Sequence, residues 1–90
     1  MQNQDIAQQL ESALLRLTAD SGPDKTICPA EAARAIAGSA GDAWGALMPA
    51  VRRIAVRLAN EGRIVISRKG KAVDPNDFKG VYRLAQPRLD

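Results

Sequence analysis

Cys28 is the residue of this chain whose type and position come nearest to covalent chemistry. It stands just before Pro29, at the expected start of a helix, a position at which a thiol can become a nucleophile. The sequence holds one cysteine and no histidine. The thiol therefore lacks both a general base beside it and a resolving partner. A buried, inert thiol is the commoner outcome. The same composition leaves no zinc-ligand pattern. Asp20 with Asp24, and Asp74 with Asp77, are spaced as turn residues and have no acid–base partner. Gly38 and Gly41 are followed by no lysine and complete no phosphate-loop fingerprint. No catalytic, metal or cofactor site is expected, and the chain is read as a binding protein rather than an enzyme.

Charge carries more information. The net charge is +3, from 13 basic and 10 acidic residues. Residues 1–45 contain Arg16, Lys25 and Arg34 against six acidic groups, and residues 46–90 contain ten basic groups against four, so the halves carry −3 and +6. An asymmetry of this kind points to an anionic partner for the second half.

The elements that must position those charges follow from periodicity and punctuation. Ninety residues make one domain. Only Trp44, Phe78 and Tyr82 are aromatic, so the core must be aliphatic, with alanines letting helices approach closely. Ile6, Leu10, Ala13, Leu14 and Leu17 form one apolar stripe, predicting a first helix over 5–19. Asp5 and Gln8 read as its capping box, and Ser21-Gly22-Pro23 as its stop. Lys25–Cys28 reads as extended. Pro29 suits the first position of a second helix, 29–37, with Glu31 in its first turn. Residues 38–41 form a turn, and Asp42 caps a short turn carrying Trp44 and Leu47. Trp44, between two helices, is expected to pack against the core.

The third helix is predicted from near Pro49 to Glu61, closed by Gly62. Leu47, Val51, Ile54, Ala55 and Leu58 give it one apolar face. Residues 63–68 read as a strand with Ile64 and Ile66 inward. A long loop, Lys69 to Gly80, leads to a returning strand, 81–84, with Tyr82 and Leu84 inward. Asp74-Pro75-Asn76-Asp77 should turn through its side chains. The last few residues are expected to fray.

This order predicts an α+β winged helix-turn-helix: three helices with a small antiparallel β-hairpin wing. The abrupt Glu61-Gly62-Arg63-Ile64 handover from helix to strand strengthens that reading. The runs Lys25–Pro29 with Glu31 and Arg34, Trp44, Leu47–Arg52, Leu58, Glu61–Ile64 and Lys69-Gly70 resemble a family of short bacterial proteins known as a domain of unknown function. The likeness covers residues 10–84. It implies a winged-helix fold and transfers neither an activity nor a site.

Opposite the third helix's core face lie Ala46, Pro49, Ala50, Arg53, Arg57 and Asn60, with Arg52 on the flank. In a helix-turn-helix protein this face enters the major groove. Small residues near its start permit close approach, and the arginines can reach phosphate or guanine. Arg68, Lys69 and Lys71 cluster at the wing, with Lys79 and Arg83 across the loop. Double-stranded DNA is thus the expected partner, through Arg52, Arg53, Arg57, Arg68, Lys69 and Lys71, with transcription regulation as the natural extension. The bland reading is a solvated helix face and an ordinary polar loop. A protein–protein interaction module is the alternative, since Asp74 and Asp77 would repel phosphate. A cytoplasmic location is expected: no apolar run is long enough to span a membrane and Met1–Ile6 lacks a signal pattern. A homodimer through the first helix or the N-terminal residues remains open.

Overall fold

The computed structural model describes residues 2–37 and 41–87, with side chains described over 6–37 and 44–87. The expected turn at 38–40, the capping by Asp42 and the fraying of 88–90 fall outside the described residues. The elements are helix α1 (Gln2–Ser21), helix α2 (Pro29–Ala37), a 3₁₀ helix (Gly41–Leu47), helix α3 (Met48–Asn60) and strands β1 (Val65–Arg68), β2 (Lys71–Ala72) and β3 (Arg83–Ala85). The fold is α+β, with one antiparallel sheet in the order β2-β1-β3.

Helix α1 starts three residues before the predicted capping box, so Asp5 lies inside the helix rather than at its start. No breaker separates Gln2 from Asp5, and glutamine propagates a helix well. The core stripe holds, with Leu10 and Leu14 fully buried. Thr18 joins it by donating its hydroxyl to the carbonyls of Leu14 and Leu15, at 2.8 and 3.1 Å.

Helix α2 spans the predicted residues. Cys28 acts as its cap: its N–H donates to Oε2 of Glu31 at 2.9 Å, and the Glu31 N–H donates back to the Cys28 carbonyl at 2.9 Å. Pro29 has no N–H to satisfy, which is why it fits the first position. Buried Ala30, Ala32 and Ala33 let α2 lie close against its neighbours.

The 3₁₀ helix runs straight into α3. Pro49 sits in the first turn of α3, where its missing N–H would have had no partner anyway. Val51, Ile54, Ala55 and Leu58 are buried as the periodicity requires. The chain then turns at Glu61-Gly62, where the Gly62 and Arg63 amides bond the Ala59 and Leu58 carbonyls.

The wing differs from its expected form. In place of one long loop, Lys69 and Gly70 make a tight turn with φ of +53° and +83°, and β2 pairs at once with β1 through Arg68↔Lys71 and Ser67↔Ala72. Positive φ at both central positions defines a type I′ turn, whose twist matches that of paired strands. β2 ends after two residues because Asp74-Pro75 imposes its own turn, the Asn76 N–H donating to Oδ1 of Asp74 at 2.9 Å. Residues 73–82 then cross back over α3, and β3 begins at Arg83 rather than Val81, because the Val81 carbonyl is taken by Arg68 (2.9 Å). The predicted alternation survives: Tyr82 and Leu84 face the core. Beyond β3, Ile27 and Leu84 exchange backbone bonds of 2.7 and 3.0 Å, fixing the segment between α1 and α2 to the sheet.

No helix among the described residues is long and apolar enough to cross a membrane.

Candidate nucleic-acid interface

Three arginines were expected on the outer side of α3, and they meet three different fates. Arg53 is exposed, and among the described residues it engages no partner. Arg52 is half-buried. Its guanidinium stacks 4.0 Å from the Phe78 ring centroid and 5.8 Å from that of Tyr82, and Nη2 donates to the Phe78 carbonyl at 2.8 Å. It anchors the 73–82 loop. Arg57 is claimed by carboxylates: Nη2 donates to Oε1 of Glu11, and Nη1 lies 3.2 Å from Oε2 of Glu61. Arg63 joins the same cluster, 3.3 Å from Glu11 and 3.5 Å from Glu61. The hydrogen bond from Arg57 holds the Glu11 carboxyl below the usual carboxylate range, against a smaller opposing effect of burial. Glu11 in turn raises Arg57 above its ordinary value.

The wing cations divide likewise. Arg68 donates Nε to the Val81 carbonyl at 2.9 Å and lies along the loop. Lys69 and Lys71 are exposed at the tip of the hairpin, without partners among the described residues. Arg83, across the loop, donates to the Thr26 hydroxyl and carbonyl at 2.9 and 3.2 Å.

The loop also covers part of α3. Asn60, on the outer face near the end of the helix, exchanges amide hydrogen bonds of 3.1 and 3.0 Å with Asn76. Phe78 and Tyr82 pack edge to face beneath Arg52, with centroids 5.2 Å apart. The buried Tyr82 hydroxyl has no hydrogen-bond partner among the described residues. Burial pushes its pKa up, with Arg52 opposing. The open part of α3 is therefore its first half: Pro49 and Arg53 exposed, with Ala50 half-buried between them.

Sequence reasoning named Arg34 as one of the basic charges and among the residues that carry the family resemblance, and gave it no role. In the structure its guanidinium stacks 4.6 Å from the ring centroid of Trp44. Trp44 packs against the core edge as expected and remains half-buried. Helix spacing alone gave no signal of this pair, since the turn between α2 and α3 decides it.

A groove of about 400 Å³ lies beside Gln8, Gln9, Ser12 and Arg16, and a second of about 490 Å³ beside Thr26, Val65, Ser67 and Ala85. Neither joins the cations of α3 to those of the wing.

Residues 7–87 match a family described as a protein of unknown function, DUF3253, and the chain belongs to that family. Among curated proteins none matches it.

Proposed function

We propose that this chain is a winged helix-turn-helix module that binds the phosphate backbone of double-stranded DNA. The sequence of helices, the α2–α3 corner and the small sheet with its β1–β2 tip support the winged-helix reading. The observation that carries the DNA reading is a set of exposed cations without partners among the described residues, Arg53 on the open half of α3 and Lys69 and Lys71 at the hairpin tip. They stand at positions where helix-turn-helix proteins meet the groove and the flanking backbone. Arg52 and Arg68 serve the loop, and Arg57 is matched by acid, so these three contribute little. A regulatory role in transcription is the natural extension of such binding.

Fluorescence anisotropy of a labelled random-sequence duplex tests it. Three phosphate contacts give a log–log salt slope of about −2.7, or roughly a 40-fold loss between about 50 and 200 mM salt. Binding with a slope of that size or steeper, lost largely in Arg53→Ala/Lys69→Ala, supports the reading. No binding at high micromolar protein in the lower salt ends it.

A protein-binding role is favoured by one feature, the side of the wing at Val81. That residue is 82% exposed, and Asp77 in the same loop is exposed as well. Recovery of a complex that Val81→Ser abolishes would favour it.

A further inference from the structure

We infer that Arg34, held on the ring of Trp44, is a preorganised phosphate contact for a duplex backbone passing the α2–α3 corner. This rests on the DNA reading above and adds a residue and a second element to it. Arg34 lies in the last turn of α2. Its guanidinium stacks 4.6 Å from the indole centroid, while Trp44 sits in the 3₁₀ helix that leads directly into α3. The stack is thus set beside the same end of α3 that the wing loop leaves open.

The ring takes up one side of the guanidinium and Arg34 makes no hydrogen bond among the described residues, so N–H donors are left for a phosphate. The stack also restricts the side chain before any ligand arrives, which lowers the ordering cost of the contact. Glu31 is the acid one helical turn earlier on α2. That carboxylate is occupied at the other end of the helix by the Cys28 N–H, at 2.9 Å, and no ion pair to Arg34 forms among the described residues. Beside Trp44, Gly45 and Ala46 are exposed, and a Cβ added at Gly45 would meet nothing within 4 Å. Among the described residues, Gly45 and Ala46 put no bulk in the way of a backbone that approaches the ring and its arginine. In helix-turn-helix proteins the first helix of the pair is the one that crosses the phosphate backbone.

The chain has one tryptophan, so its intrinsic emission reports on this stack alone. The full chain is titrated with an unlabelled random-sequence duplex while Trp44 emission is followed, and anisotropy is measured in parallel on labelled duplex. Emission is expected to change saturably with the same midpoint as anisotropy. Arg34 as a fourth contact steepens the slope to about −3.6, and Arg34→Ala returns it to about −2.7. Its affinity drops about 3- to 10-fold at low salt, by a similar factor on every duplex sequence, as a phosphate contact requires. Arg34→Lys keeps the charge but loses the planar stack, and falls between the two. Arg34 is exposed, and unchanged circular dichroism of the variants establishes that they fold. Duplex binding with constant Trp44 emission and an unaltered slope in Arg34→Ala overturns the assignment while leaving the DNA reading intact. Absence of any anisotropy change with the native chain overturns both.

Discussion

Arg68 lies against the backbone of Gly80: a Cβ built on that glycine would sit 3.0 Å from Nη2 of the arginine. Gly80 also holds a φ of +84°, a region that costs a residue with a side chain about 1–2 kcal/mol. Gly80→Ala is therefore expected to lower stability by about 1–3 kcal/mol. Arg68→Ala in the same chain should recover the part due to contact and leave the part due to the backbone. Urea unfolding of the two single variants, the double variant and the native chain measures this coupling. Strictly additive losses would mean that the arginine simply moves aside.

Arg52 separates a folding role from a binding role. It stacks on Phe78 and bonds its carbonyl, so Arg52→Ala should destabilise the chain by about 1–3 kcal/mol. Lysine offers no planar fork, and Arg52→Lys should recover less than half of that. Thermal unfolding followed by circular dichroism decides it. An unchanged midpoint in Arg52→Ala would return this residue to the set of free cations.

Lys69 occupies the left-handed region at φ +53°, where asparagine is better tolerated. Lys69→Asn should raise the melting temperature slightly while removing one charge from the hairpin tip. On the DNA reading the salt slope of duplex binding should then become shallower by about 0.9. A more stable variant that binds duplex as tightly as the native chain would take the tip out of the interface.

The Glu11 cluster gives a dependence on pH. Its carboxyl is held below the usual range by Arg57. A depressed pKa in the folded state contributes stability at neutral pH, and that contribution is lost as pH falls through the folded value. Glu11→Gln should therefore melt lower than the native chain at neutral pH, and the two should converge in acid. The difference should also shrink with added salt, because the pairs are partly exposed. Parallel melting curves that keep a constant separation down to strongly acid pH would show that Glu11 acts through packing instead.

Local signals in the sequence located the helices well. Pro29 set the start of α2, Gly62 marked the turn after α3, and alternation oriented Tyr82 and Leu84 correctly. The apolar stripes of α1 and α3 gave most of the core. The fate of the charged residues was not legible in the same way. Arg57 meets Glu11 from 46 residues away, and Arg52 meets Phe78 from 26. Such pairs are chosen by how α1 and the wing loop dock on α3, and no spacing within α3 encodes them. The wing loop was misjudged for a related reason. Lys69-Gly70 is a weaker turn signal than Asn-Gly, so the tight hairpin was hidden within a longer polar stretch, and with it the return of the chain to Asn60 and Arg52. Arg34 was given no role because its partner lies across the corner between two helices.

The backbone pair between Ile27 and Leu84 has a consequence for how the chain is made. The adjoining contact of Arg83 with Thr26 spans 57 residues, and Leu84 is itself fully buried. Synthesis delivers α1, α2 and α3 in order, yet the segment between α1 and α2 has no strand to pair with until β3 emerges. The backbone bonds of Ile27 to the sheet therefore wait on the last strand to be made, however early the helices form.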